Sequence, residues 1–482
     1  MTWDAVVIGS GIGGLSAAGA LAARGRKVLV LEQAASPGGY LASFRRGGFL
    51  FDAAVDCVAG LDPDGLITWL LRSLGVEREL GLVRLDPIRL SRFPGLEVGV
   101  DADLPAYRER VCGLFPRERQ GILSHFRRME TIYADVDREL RAVREAGGGA
   151  NAFPSSFARY GDATYSELLR EDIADRRLAA VLSDRCPFLG ISPERVSAIR
   201  LVTLVMSYFR SGAYRPVGGH QRLADALVKG IRGKRGVFLP DRAARRILVE
   251  RGRCVGVETE DGERFHARHV VSNADPHQTL SRLLSGTAGQ GAPDGSRNRR
   301  LSPSFFILYL GVGGGFSIPG SASSIGSFDS YDLASLLDRY EPFRDSASLG
   351  ITIPTREDPS LAPPGHHVVL VHELVPQGFS ADWKAGKEAL AEKVLGMAEK
   401  VLPGISGSVV CSAAASPATL ERYTRNRGGA AFGWEHAPGF QREASPVPNL
   451  HFAGHWCEVG GGVLAAAYTG VRAANRVMET DG

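Results

Sequence analysis

Asp4-Ala5-Val6-Val7-Ile8-Gly9-Ser10-Gly11-Ile12-Gly13-Gly14, then a run of small residues and Lys27-Val28-Leu29-Val30-Leu31-Glu32, decides the fold of this 482-residue chain. It reads as strand, glycine turn, helix, strand. The apolar run ending at Ile8 is a buried parallel strand. Gly9 permits the tight turn, Gly11 lets backbone approach a pyrophosphate, and Gly14 lets the helix pack closely on the sheet. Gly9, Gly11, Gly13 and Gly14 are the candidate phosphate-binding glycines. The helix start supplies unbonded N–H groups and a positive dipole end. Ala17, Ala18, Ala20, Ala22 and Ala23 keep that helix slim. Glu32 closes the second strand eighteen residues after Gly14, where an acid hydrogen-bonds ribose hydroxyls, with Gln33 beside it. A carboxylate there repels a 2′-phosphate and disfavours NADP.

Composition sets bounds around this motif. A chain of 482 residues is too long for one core, so two or three domains are expected. With 44% hydrophobic and 23% charged residues it is of globular type. The net charge is only +4, and just seven of the 57 basic residues are Lys. No basic run interleaves with aromatics, so nucleic acid is not an expected partner. Six scattered cysteines without Cys-x-x-Cys spacing argue against a metal site or disulfide framework and suit a reducing cytoplasm. A first strand beginning near Trp3 leaves no room for a signal peptide. No run of eighteen apolar residues exists, so no spanning segment is expected, whereas peripheral membrane contact stays open.

Further along, Ser36-Pro37-Gly38-Gly39 and Gly48-Phe49-Leu50-Phe51-Asp52 follow the second strand. Tyr214-Arg215-Pro216-Val217-Gly218-Gly219-His220 forms a Pro-x-Gly-Gly turn before a helix. Ser272-Asn273-Ala274-Asp275 ends an amphipathic block over 236–275 in which Asp261-Gly262 makes a hairpin. Asn449-Leu450-His451-Phe452-Ala453-Gly454-His455-Trp456-Cys457-Glu458-Val459-Gly460-Gly461-Gly462-Val463 is a strand, a glycine turn and the start of a second helix. Together these resemble the FAD-dependent oxidoreductases that include phytoene desaturases, carotenoid isomerases, retinol saturases and, more distantly, amine oxidases. Asp358 to His367 tilts the resemblance toward the isomerase and saturase branch.

The resemblance implies an α/β fold: a Rossmann-type FAD-binding domain from 1–82, 216–300 and 441–482, with an inserted α+β substrate domain from 83–215 and 301–440. It implies FAD as cofactor, with Gly38 and Gly39 close to the flavin and Ala244 under the adenine. Ala274 lies where the nucleotide domain closes, and Gly454, Gly461, Gly462 and Val463 lie on the flavin side. Many members carry Arg after the two glycines, where this chain has Tyr40.

Between these motifs the residues predict a helix over 64–75, strands of a second sheet over 83–100, helices over 103–145, and a break at 146–151. A capping box at Thr164 to Glu167 starts another helix. The segment from Ile199 to Phe209 is apolar almost all round, as a core helix, a substrate-tunnel wall or a membrane-dipping face. A loop is expected over 284–300 and strands at 305–312, 351–355 and 368–374. Gly313 to Gly315 resemble a phosphate loop only superficially, because Phe316-Ser317-Ile318-Pro319-Gly320 cannot start a helix. His366 and His367 point opposite ways on a strand and do not make a metal pair.

The function this implies is a flavoenzyme moving a hydride to or from a carbon skeleton: desaturation, saturation or isomerisation of a lipophilic polyene or isoprenoid. The alternatives are an amine or alcohol oxidase of a secondary-metabolite pathway, and a non-catalytic module that binds prenylated partners. No nucleophilic triad is evident. Glu458, His455 and His220 are the candidate catalytic groups, by position near the flavin. A lipophilic substrate implies reversible membrane contact through an apolar surface within 83–215.

Overall fold

A computed structural model describes residues 2–145, 155–285, 299–318, 320–339, 341–344, 346, 348–379, 381–439 and 445–481. The break expected at 146–151 and most of the loop expected over 284–300 lie outside the described residues.

Two seven-stranded sheets organise the α/β fold. In the first, the order is Ala244–Glu250, Arg253–Thr259, Arg264–Ser272, Trp3–Ile8, Val28–Leu31 and Val237–Leu239, with Leu450–Phe452 added along the end of Arg264–Ser272. Parallel register aligns one row across it: Ile8 pairs with Leu31 and with Ser272, Ser272 with Phe452, and Leu31 with Leu239. The loops leaving that row are those that begin at Gly9, Glu32, Asn273 and Ala453. Ligands of open α/β sheets bind at such a carboxyl edge. The central strands Trp3–Ile8 and Val28–Leu31 are buried on both faces, which explains their run of Val, Ile and Leu. Helices Ile12–Ala23, Gln221–Gly233 and Val463–Asp481 cover one face, sharing a core that includes Leu15, Leu21, Leu223, Leu227 and Val471. The first and last helices cross so closely that a Cβ on Gly470 would lie 2.1 Å from the Gly13 carbonyl oxygen.

The second sheet runs Val409–Ala415, Ser304–Val312, His367–Val375, Leu349–Thr352, Ser324–Ser327, Arg89–Phe93 and Leu96–Val100. It therefore joins residues more than 200 positions apart: Ile325 pairs with Leu90. Beside it stands a helical layer of Leu104–Leu114, Arg119–Ala142 and Ala198–Ser211, packed through Tyr107, Phe126, Ile132, Leu201 and Met206. Asp103 caps the first of these by accepting from Ala106 N. Thr164 and Glu167 form the full capping box ahead of Tyr165–Arg170.

Two expectations change. Not all of 83–100 enters the second sheet, because Leu82–Arg84 pairs with Tyr214–Pro216 in a separate two-stranded ribbon. The chain leaves the first layer and returns to it there, so the two passages lie side by side. The apolar surface expected within 83–215 also narrows: among the described residues Leu114 is its only exposed large apolar side chain, with Leu82 and Val217 at its borders. The apolar residues of Ala198–Ser211 turn inward instead.

Candidate active site

A cavity of about 370 Å³ runs from the carboxyl edge of the first sheet to the face of the second. At the first end the wall is glycine backbone. Gly9 has φ +87° and its N–H donates to the Leu31 carbonyl at 2.8 Å. A Cβ on Gly14 would fall 2.0 Å from Gly9 O, so Gly14 serves the turn from behind and does not reach the cavity. Gly11 and Gly13 face it. Cβ atoms there would stand 2.8 Å from Asn273 Nδ2 and 2.5 Å from Asn273 Oδ1 respectively. Gly13 also abuts Gly454, whose Cα would be 2.5 Å from the added carbon. The two glycine motifs, 441 residues apart, thus meet across Asn273. Asn273 was invisible as a functional residue in the sequence, where only the stretch containing it stood out.

Gly38 N donates to Ser10 O at 3.0 Å, which draws the Pro-Gly-Gly loop over the first turn with Gly38 at φ +123° and Gly39 at φ +57°. Gln33, Gly38, Gly39, Ala244 and Ala274 all line the cavity. Glu32 lines it too, only 8% exposed. Its Oε2 accepts from Ser10 N at 2.8 Å and Ser10 Oγ at 2.6 Å, and its Oε1 accepts from Ala34 N at 2.9 Å. The carboxylate is thereby held rigidly beside the cradle.

At the other glycine turn, Gly454, Gly461, Gly462 and Val463 border the cavity just before the last helix. A side chain on Gly461 would strike Phe432 at 2.7 Å, whereas Gly462, at φ +108°, has nothing within 4 Å. Gly462, not Gly461, is therefore the position that stays bare toward the cavity. His436 fixes the turn from beneath: its Nε2 accepts from Gly461 N at 2.9 Å. Burial, with the Arg200 charge adding to it, pushes His436 down to about 3, which keeps that nitrogen an acceptor.

The three candidate catalytic groups separate. His455 lines the cavity, its ring 5.9 Å from Tyr40 and 5.3 Å from Trp456. Its Nε2 is buried without a hydrogen-bond partner among the described residues, and burial pushes it down to about 4. Glu458 does not line the cavity. Its Oε1 sits 2.6 Å from Arg472 Nη1, about two and a half turns into the last helix, so the carboxylate ties the glycine turn to that helix. His220 is likewise outside the cavity, 1% exposed, with Nδ1 2.8 Å from Asp52 Oδ2 and its N–H donating to Asp52 Oδ1 at 2.8 Å. Burial opposes the charge on Asp52, but His220 outweighs it and holds the carboxyl below its usual range. Position near the motif suggested all three; side-chain direction retains one.

Tyr40 lines the cavity, donates to Ala430 O at 3.0 Å and accepts from Asn426 Nδ2 at 3.4 Å. Asn426 in turn accepts from Trp456 Nε1 at 2.9 Å. A phenol bonded within the protein thus stands where many resembled proteins carry Arg.

The second end is apolar with a few buried polar groups that the sequence did not single out. Leu204 and Tyr208 from Ala198–Ser211 form one wall, so that helix is both core and cavity lining. Asp56 is held by Arg215 Nη2 at 2.5 Å, Ser324 Oγ at 2.8 Å and Thr352 Oγ1 at 3.2 Å. Burial opposes its ionisation, but the Arg215 charge and these hydrogen bonds hold its carboxyl below the usual range. Arg215 also donates to Glu357 at 2.7 Å. Burial pushes His372, beside them, down to about 4.

The glycine cradle fits an FAD on grounds of its own. Gly11 begins the first helix with no side-chain cap, leaving the first-turn N–H groups for phosphate. Gly462 leaves open space before a second helix start, and Glu32 lines the cavity just after the strand Val28–Leu31. Fold and site define an FAD-dependent oxidoreductase. The chain belongs to the flavin-containing amine oxidoreductase family, whose model matches residues 12–478, and its cofactor is FAD. It is 28% identical to prolycopene isomerase 1, chloroplastic, of an Oncidium hybrid cultivar, over 98% of this chain and 84% of that protein. It is 28% identical to the phytoene desaturase (neurosporene-forming) of Cereibacter sphaeroides, over 95% and 91%. An oxidoreductase from Methanosarcina mazei, 18% identical, superposes with a TM-score of 0.66 over 98% of this chain and 99% of that one.

Proposed function

We propose that this flavoprotein acts on carbon–carbon bonds of a lipophilic polyene or isoprenoid, by desaturation, saturation or isomerisation. The observation that carries the reading is the single cavity joining the glycine cradle to an apolar chamber on the second sheet. Bound FAD supplies hydride transfer, chemistry that requires no protein nucleophile. This chain's residues do the rest. Gly9, Gly11, Gly13, Gly38 and Gly39 admit the cofactor, and Glu32 orients its ribose. Leu204, Tyr208, Phe305 and Ile307 hold an extended apolar chain and exclude water. His455, neutral at physiological pH, offers Nε2 to hold or accept a proton at the junction of the two ends. The names of the isomerase and desaturase relatives support the polyene class and a place in carotenoid biosynthesis.

An amine is poorly served. Glu32 and Asp56 are the only acidic side chains lining the cavity among the described residues; Glu32 lies at the cofactor end, and Asp56 is already held by Arg215, Ser324 and Thr352. The test is anaerobic mixing of the holoprotein with phytoene-class polyenes and, separately, with primary amines. Loss of the oxidised-flavin band, or conversion of the polyene, is expected with polyenes only; reduction by amines with no polyene conversion refutes the reading.

Localisation follows as part of the proposal: cytoplasmic, with reversible contact to lipid when substrate is drawn from a membrane. No helix among the described residues is long and apolar enough to cross one. Flotation with anionic liposomes that leaves all protein at the bottom would argue against that contact.

A further inference from the structure

The chamber is not purely apolar. Arg89, from the strand Arg89–Phe93, lines it while only 2% exposed. Its guanidinium lies 4.5 Å over the Phe188 ring and 6.0 Å from that of Phe328, between two aromatic faces. Room is made for it at Gly326, where a Cβ would fall 1.6 Å from Arg89 Nη2.

Its hydrogen bonding is incomplete. Nε and Nη1 have no hydrogen-bond partner among the described residues. The nearest carboxylate, Asp184, is 3.6 Å from Nε, beyond a hydrogen bond, and already accepts from Ser91 Oγ. A second buried cation, Arg185, packs over Phe188 and Tyr208 at 5.1 and 5.3 Å and leaves Nη1 without a partner. Asp56 attracts Arg89 only through space, because Arg215, Ser324 and Thr352 occupy its oxygens. Burial first, and then the Arg185 charge, push Arg89 down to about 10, so it remains a cation at neutral pH.

A buried guanidinium with unmade hydrogen bonds is expensive, and a planar carboxylate matches its fork of donors. We propose that Arg89 receives the carboxylate of the substrate, and that the substrate class is a lipophilic polyene carboxylic acid, not a hydrocarbon. The inference rests on the polyene reading. It adds a polar end to the substrate and a fixed register: the acid sits on the second sheet and the apolar chain extends toward the glycine cradle.

The probes are all-trans-retinoic acid and its methyl ester, which keeps chain and carbonyl but loses the charge. Binding to the FAD-loaded protein is followed by quenching of protein fluorescence. Wild type should prefer the acid by about tenfold to a hundredfold, the range of a hydrogen bond to a charged group. Arg89→Met, checked for a normal flavin spectrum, should abolish the preference. Should that variant fail to fold, Gly326→Ala displaces the guanidinium without removing it and should abolish the preference too. Ester binding as tight as acid binding in wild type, or a preference surviving both variants, overturns the role of Arg89 and leaves the polyene reading standing. Binding of neither probe overturns both.

Discussion

The two ends of the cavity are built by opposite means. The cofactor end is made of backbone at strand ends, with glycines where any side chain would intrude and one carboxylate held by Ser10 and Ala34. Each piece is a short contiguous motif. The substrate end is made of side chains drawn from Asp56, Arg89, Ser324 and Thr352, each at least 28 positions from the next, with Arg215 holding Asp56 from outside the lining. Backbone cradles tolerate no added atom, whereas side-chain chambers are tuned by charge pairing and burial. The first end fixes which cofactor binds, and the second which substrate.

That contrast can be broken by substitution. Gly462→Val should have the largest effect: a branched side chain at φ +108° is strained and projects into the cofactor space, so the protein should purify soluble with a flavin-to-protein ratio near zero. Full flavin content would refute the close approach. Arg215→Met comes next. It strands Asp56 in the interior, and removing one partner of a buried pair destabilises by about 3–5 kcal/mol, read as a lowered thermal midpoint. Below that midpoint flavin content should be normal, because Arg215 lies outside the cofactor end; flavin loss would show the ends to be coupled.

Glu32→Ala should weaken FAD retention by about 1.5–3 kcal/mol, seen as faster flavin loss on dialysis with the fold intact. Unchanged retention would mean that Glu32 serves only Ser10 and Ala34.

Acid should act on the cofactor end through His436. Its folded value of about 3 lies below the free value of 6.5. The neutral form is therefore fully stabilising above pH 6.5, and that contribution is lost as pH falls toward 3. Protonation of Nε2 breaks its bond to Gly461 N, so flavin release should grow over that window, measured by the rise in flavin fluorescence. Release that is flat across it would remove His436 from the turn's support.

The smallest effect is expected of Glu458→Gln, which keeps an acceptor for Arg472. Turnover should fall by far less than the ~10²-fold that loss of a proton-transfer group brings. A loss of that size would return Glu458 to the chemistry and displace His455.

Much of the cofactor end was legible because its determinants are local: a glycine needed for a positive φ, a helix start, an acid at a strand end. Gly461 borders the cavity, and only the fold shows that a side chain there would meet Phe432 from another segment. Glu458 and His220 misled because motif proximity fixes where a backbone runs and not where a side chain points; Arg472 and Asp52 turn them away from the cavity.

FAD was implied by the family resemblance; what the sequence determined by itself was the strand–turn–helix at Gly9 to Gly14 and the second glycine turn at Gly460 to Gly462. Those features depend on φ, ψ and hydrogen bonds among residues close in the chain. Only the tertiary structure decided that Asn273 sits between the two glycine motifs, that His455 alone of three candidates faces the cavity, and that Arg89 lies buried with hydrogen bonds unmade. These depend on strand pairing across hundreds of residues and on the burial it imposes, and no window of sequence contains either.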